Sequence, residues 1–419
     1  MLATVRCAIP LLLSTVFLLM GVGLLHTLVA LRGEALGFSV ARIGTLSAAY
    51  YAGFLIGTYT VPRLVHRIGQ IRAFAFCCTL VVISVLVQAI GSVYWLWLAM
   101  RVLQGLLLVG LYVIIESWLN AAAAPRHRSA LFSIYMMLSL GAGALAQQLL
   151  RLPGEGFVLF CVVAILFAMA SLPVIDMRQQ QPRLHAMPRV QLARFFRLVP
   201  TAIVSAFVAG LVLGALWGLL PVYAASQGMD AAEIGTYVSV AILGGVALQW
   251  PLGHLADRID RRLALSGIAA LAALVALVQL VFPGEGIAAL ALIFAFGGMA
   301  FSLYPIAVAH LVDYLERDEL MSASSTVLLV NGVGSALGPL VAGNLMNRGQ
   351  PALLFAWFLA LGALLAGYAL YRFLRRRREV SAGDHFVPRV STTAESIDPR
   401  ETDAEGVRPR SRQSATGTS

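Results

Sequence analysis

Apolar runs of about 20 residues, each separated from the next by Gly or a short polar break, follow one another from residue 8 to residue 371. At 1.5 Å per residue, such a run is the length of helix that crosses the ~30 Å hydrocarbon core of a bilayer. In that medium every backbone N–H and C=O must find a partner within the protein, so a chain of such runs is constrained to a bundle of spanning helices. Composition agrees: 59% of the residues are hydrophobic, 12% are charged, and the mean hydropathy is +0.84, far too apolar for a soluble domain. The formal charge of +10 does not mark a nucleic-acid binder, because all 30 basic residues are Arg and most fall in gaps between the runs.

The runs predict spans near 8–31, 41–62, 73–92, 95–119, 129–150 and 156–175, then 199–225, 232–253, 263–282, 286–312, 322–346 and 351–371. The expected fold is therefore all-α and integral to the membrane, with twelve transmembrane helices. Arg6 before an apolar stretch has the look of a signal peptide, yet no small-residue cleavage site follows and the run continues to Leu31; a retained first helix is expected. If the N-terminus is cytoplasmic, Arg63, Arg67, Arg72, Arg126, Arg128, Arg178, Arg183, Arg189, Arg194, Arg197, Arg258, Arg261, Arg262 and Arg375 to Arg378 all fall inside. Only Arg32, Arg42, Arg151 and Arg348 fall outside. The positive-inside rule thus selects cytoplasmic termini and a multi-pass protein of the bacterial inner membrane. Cys7, Cys77, Cys78 and Cys161 stand in or beside apolar runs without a CxxC or Cys/His cluster, so neither a disulfide nor a metal is expected.

The chain also repeats itself. Gly37 and Gly228 stand 191 residues apart, and at the same offset ARIGT (Ala41 to Thr45) returns as AEIGT (Ala232 to Thr236). Gly53 pairs with Gly244, Arg67-Ile68 with Arg258-Ile259, Gln88 with Gln279, and Gly141 and Gly143 with Gly332 and Gly334. Two pseudo-symmetric six-helix units follow as the expectation: residues 1–175 and 199–371, joined by a cytoplasmic loop at 176–198 and followed by a disordered cytoplasmic tail at 372–419. A binding site is expected at their interface near the bilayer midplane.

In the turn after the eighth run, GHLADRIDRR (Gly253 to Arg262), five charges fall within ten residues. It resembles the loop signature of the major facilitator superfamily, Gly-x-x-x-Asp-Arg/Lys-x-Gly-Arg-Arg/Lys. Gly253, Asp257, Arg258, Arg261 and Arg262 match it, and Asp260 replaces the family's Gly. The resemblance implies a gate in which Asp257 caps a helix of the first unit in the outward-open form; a solvated turn is the other reading. The first-half copy, PRLVHRIGQIR, keeps Arg67 but has His66 where the family has Asp.

RVLQG (Arg101 to Gly105), in the fourth run, resembles the family's Arg-x-x-Gln-Gly pattern, often linked to proton coupling. Helical spacing sets Arg101, Gln104, Tyr112 and Glu116 on one stripe, expected to face protein. Arg101 either serves transport or snorkels to the outer interface. Glu116, ~22 Å along the helix from Arg101, is expected to meet Arg67 or Arg72. In the eleventh run, Gly334, Gly338, Pro339 and Gly343 resemble the Gly-Pro antiporter motif but read first as close helix packing. His26, Gln147, Gln148, Gln249, Tyr304 and Asn331 are polar groups within spans, with Trp217 and Tyr223 as candidate aromatic walls. His26 also fits a packing role, while His310 and Asp313 are read as a solvated helix end.

GALWGLLPVYAASQG, QWPLGHLADR, FSLYPIAVAH and ESWLN narrow the resemblance to the YcaD-type branch of bacterial major facilitator transporters, over residues 8 to 371. This implies a monomeric secondary carrier moving a small molecule by alternating access, coupled to protons, in contact with membrane lipid and without nucleic acid or cofactor. No P-loop occurs, and the chain contains no Lys. An enzyme would need a convergent catalytic set, which is not found. A membrane sensor or scaffold with a transporter-like fold is the alternative.

Overall fold

Glycine sets where the helices turn. In the computed structural model, which describes residues 2–122, 128–153, 156–175, 190–316 and 319–382, Gly37 and Gly228 both adopt left-handed φ, 77° and 80°. Each ends one helix, and a capped helix begins three residues later. Ser39 accepts from the Arg42 N–H, and Asp230 forms a capping box with Glu233 at 2.8 and 2.9 Å. At the far ends of those helices, Gly69 (φ 83°) links two helices alone. Its counterpart 191 residues on is Asp260, whose carboxylate accepts from the Arg262 N–H at 2.8 Å. The departure from the family's Gly there is thus an N-cap.

The helices in chain order are α1 (Leu2–Ala35), α2 (Val40–Ile68), α3 (Gln70–Ile90), α4 (Tyr94–Ala122), α5 (Arg128–Gln147) with a 3-10 turn Gln148–Arg151, and α6 (Gly156–Ile175). After them come α7 (Leu192–Leu198), α8 (Pro200–Ser226), α9 (Ala231–Arg258), α10 (Arg261–Val281), α11 (Gly286–Val312), α12 (Leu320–Met346) and α13 (Leu353–Ala382). Among the described residues, 11 helices are long and apolar enough to cross a membrane. The equally long α2 does not qualify, because Tyr50, Tyr51, Thr58, Tyr59 and Thr60 dilute its apolar face. Several boundaries differ from the expectation: α1 covers Leu2–Ala35 instead of 8–31, α2 runs to Ile68 instead of 62 and α9 to Arg258 instead of 253. The 176–198 gap contains α7, and α13 runs on past residue 371 to Ala382 through Arg375–Arg378, since nothing before Ala382 breaks the helix. Arg126, Arg178, Arg183, Arg189, the Cys7 side chain and the tail from 383 lie outside the described residues.

Small residues bring the helix axes together. A methyl on Gly53 would fall 2.0 Å from the Val102 carbonyl oxygen, and one on Gly105 1.9 Å from that of Tyr50, so α2 and α4 meet backbone to backbone. Gly244 against Phe294 and Gly297 against Ala241, both 2.0 Å, repeat this contact between α9 and α11. Gly334 and Gly338 sit equally tightly on the Phe207 and Leu211 carbonyls, locking α12 to α8. Contacts joining the earlier to the later helices gather toward the end that carries the Gly37 and Gly228 turns. There Gly44 meets Pro339 and Gly343, and Gly235 meets the Gln147 carbonyl. The Ser239 hydroxyl donates to the Ala144 carbonyl at 2.7 Å and Arg151 to the Thr236 hydroxyl at 2.9 Å.

Candidate functional site

The α1, α2, α4, α5 and α8 faces enclose a cavity of about 210 Å³ in the middle of the bundle. His26, Tyr50, Tyr51, Tyr112, Ser139 and Trp217 are among its walls. Aromatic rings dominate: His26 stands edge-on to Tyr50 at 4.6 Å and 6.1 Å from Trp217, which meets Phe301 at 6.0 Å. A second, mostly apolar cavity of about 190 Å³ runs between α2 and α12 and shares Tyr50 and Tyr51 with the first. A wider hollow of about 570 Å³ opens at the Gly228 end, bounded by Arg151, Tyr223 and Glu285, away from the centre.

Behind the central wall lies Arg101, 1% exposed. Its guanidinium donates to the Leu46 carbonyl (3.5 Å) and to Gln104 Oε1 (3.2 Å), and it stands 4.7 Å above the Tyr50 ring. It also meets His26 Nδ1 at 3.1 Å. Arginine has no acceptor, so Nδ1 must offer its lone pair, which leaves the proton of the neutral ring on Nε2. Among the described residues no carboxylate pairs with Arg101. Its charge is offset by neutral acceptors and a ring face, the arrangement that holds an intramembrane cation within protein. Snorkelling to an interface does not describe this residue.

The other predicted residues divide between the cavity and the packing around it. Tyr112 and Trp217 line the central cavity and Asn331 the second, where its amide also donates to the Ala206 carbonyl at 3.0 Å. Gln104 turns away toward α3, donating to Ser84 (3.1 Å) and Gln88 (2.7 Å). Gln147 ties α5 to α1, donating to the Gly23 carbonyl at 2.9 Å and accepting from Thr27 at 2.7 Å. Tyr304 packs into the apolar cluster of α8, α11 and α12. Among the described residues, Gln104, Gln147 and Tyr304 are not walls of any of these three cavities.

Glu116 does not meet Arg67 or Arg72. It accepts from the Tyr135 hydroxyl at 3.3 Å and is otherwise exposed, one helical turn beyond Tyr112. His310 is buried and edge-on to Tyr314, not solvated, while Asp313 does lie exposed at its helix end. In the charged turn, Arg261 bridges Asp257 (2.9 Å) and Asp313 (2.6 Å), and Arg262 donates to the Tyr314 hydroxyl at 3.2 Å. In this structure Asp257 thus pairs within its own turn. Arg67 and Arg258 are exposed, and a methyl on Gly253 would meet nothing within 4 Å. Sequence reasoning passed over Tyr50 and Tyr51. Their signal was an aromatic pair flanked by small residues, AAYYAG, within a run otherwise treated as plain span.

A profile of the Major Facilitator Superfamily matches residues 11–297 and 202–396, two overlapping passes that cover most of the chain. The chain belongs to the major facilitator superfamily. Within the superfamily its relatives are of the YcaD type: the uncharacterized MFS-type transporter YcaD of Salmonella newport (strain SL254) is 29% identical over 353 residues, 84% of this chain and 91% of that one. The uncharacterized MFS-type transporter Ent638_1421 of Enterobacter sp. (strain 638) is 28% identical over 387 residues, 91% of this chain and 98% of the relative. The nucleoside transporter NupG superposes with a TM-score of 0.72 at 14% identity, covering 88% of this chain and 99% of its own. A bacterial homolog of the human lysosomal transporter Spinster, inward-facing and unoccupied, gives 0.69 at 14% identity over 91% and 98%. These structural likenesses carry the fold alone, and with the family they make this superfamily member a multi-pass membrane transporter of a small molecule.

Proposed function

We propose that the protein is a monomeric secondary active carrier of the bacterial inner membrane that moves a small organic molecule by alternating access, with protons as the coupling ion. Its parts are two six-helix halves, residues 1–175 and 199–371, with the polar α2 as a spanning helix. One observation carries the reading: a mid-bundle cavity walled from both halves, whose Gly37/Gly228 end is sealed by the glycine and hydroxyl contacts of α2 with α12 and of α5 with α9. Such contacts hold two smooth surfaces together without an interlocking core, so they can part as a unit. The Arg bias assigns the sealed end to the periplasm and makes this conformation inward-facing. Glu116, one helical turn from the cavity-lining Tyr112 and exposed beside Tyr135, is the carboxylate assigned to the proton. Asp257 and Arg261 serve the opposite face, exchanging partners when that end closes.

Paired spin labels test the carrier reading without knowledge of the substrate. Labels on H66C with L255C report the cytoplasmic end, and labels on E34C with Q227C the periplasmic end, in a cysteine-free background reconstituted in lipid. Alternating access requires two distance populations at each pair, with one end narrowing as the other widens between about pH 5 and pH 8. A single, unchanging distance at both pairs would refute the carrier and favour a sensor or scaffold of fixed shape.

A further inference from the structure

The central cavity and the α2–α12 cavity are both mostly apolar and share Tyr50 and Tyr51 as walls, but His26, with the buried Arg101 behind it, lines the central one. At the central end, His26 holds its Nδ1 against Arg101, so the ring nitrogen left to act as donor is Nε2–H. Arg101 stands directly behind that donor, fully desolvated, without a carboxylate partner among the described residues. Among the described residues, no acidic side chain is a wall of the central cavity. A charge in a low-dielectric interior acts over many ångströms, so this end attracts an anion and repels a cation.

Across Tyr50 and Tyr51 the second cavity lies between Phe54 and Leu55 on one side and Leu328, Leu329 and Gly332 on the other. Ser325, Asn331 and Ser335 are its polar groups on α12 and Thr58 is one on α2; the Asn331 amide is already engaged with the Ala206 carbonyl and the Thr58 hydroxyl with that of Phe54. This slot offers apolar surface with little to satisfy a polar group, and a charged group placed there would lose its hydration without a partner. Resting on the carrier reading above, we infer that the substrate is an amphipathic organic anion. Its carboxylate or equivalent group accepts from His26 Nε2–H, with Arg101 as the charge behind it, and its apolar body lies past Tyr50 and Tyr51 in the α2–α12 slot. His26 is the contact residue; Arg101 is a positioning residue that fixes the His26 tautomer and supplies the field.

Radiolabelled octanoate is the probe, and its equilibrium binding to the full-length protein in lipid nanodiscs the measurement. Unlabelled octanoate should compete at least tenfold better than octanamide or octylamine, and 8-aminooctanoate, which carries a charge into the slot, should compete poorly. Butanoate should bind at least tenfold more weakly than octanoate. Arg101→Gln should weaken octanoate binding at least tenfold with the melting temperature nearly unchanged. Ser325→Trp, in the slot and remote from Arg101, should abolish the advantage of octanoate over butanoate. Absence of saturable octanoate binding, equal competition by octylamine, or a folded Arg101→Gln with full binding would each overturn the inference. If Arg101→Gln fails to fold, the competition series and Ser325→Trp decide it alone. Binding needs no conformational cycle, so these results stand apart from the spin-label test: static labels with octanoate bound would sink the carrier and keep the anion site.

Discussion

Arg101 shows how one residue's setting decides its role. A buried guanidinium next to a carboxylate would be a closed ion pair, whereas here the partners are a carbonyl, an amide oxygen, an imidazole nitrogen and a ring, all neutral. Each such bond contributes about 1.5 to 3 kcal/mol when a charged group takes part, enough to hold the cation in place but not to cancel its field. Glu116 is the complementary case, a carboxylate bonded to a hydroxyl and left exposed. Glu116→Gln keeps the size and an acceptor for Tyr135 but removes the titrating group. Expected is a loss of at least tenfold in flux driven by a pH gradient in proteoliposomes, with counterflow at equal pH within about twofold of wild type and little change in stability. Counterflow falling as far as driven flux would place Glu116 in substrate binding or packing, not in coupling.

At the scale of the element, the helices are held by backbone approach rather than by long side chains. Gly105 and Gly53 of the α2–α4 contact leave no room for a Cβ, since in both cases the obstacle is a carbonyl oxygen that cannot swing aside. Gly105→Leu should therefore force the two helices apart and destabilise the protein by at least about 1 to 3 kcal/mol, the ordinary cost of overpacking. Gly141→Ala, where nothing lies within 4 Å, is the control and should stay within about 0.5 kcal/mol. Thermal melts of purified protein decide between them, and equal melting temperatures would mean that the α2–α4 crossing is looser than its geometry. Four of these glycines were legible in the sequence. Gly53 and Gly244 stood out because they recur at the 191-residue offset, and Gly334 with Gly338 because the spacing is that of helix packing. Gly105 was read as part of a coupling pattern, because a glycine in sequence does not disclose which neighbour it faces.

The whole molecule follows from the Arg distribution and the repeat. A C-terminal fluorescent fusion should glow and a C-terminal alkaline phosphatase fusion should stay inactive, as both report a cytoplasmic end; active phosphatase would invert the topology and with it the inward-facing reading. Run length and solvent chemistry alone determined the helical class and most helix ends, because a bilayer leaves the backbone few options: α6 and α11 occupy the predicted 156–175 and 286–312 residue for residue. Family membership was likewise legible in Gly253, Asp257, Arg258, Arg261, Arg262 and the RVLQG pattern, since these are local strings. Only the tertiary structure decided which polar side chains meet. Helical periodicity put Arg101, Gln104, Tyr112 and Glu116 on one stripe, but a stripe about 20 Å long crosses several neighbours. Gln104 went to α3, Arg101 to His26 of α1, Tyr112 to the cavity and Glu116 to Tyr135 of α5. Periodicity reports the direction of a side chain about its own axis, whereas its partner depends on the crossing angles and depths of other helices, which no single segment encodes.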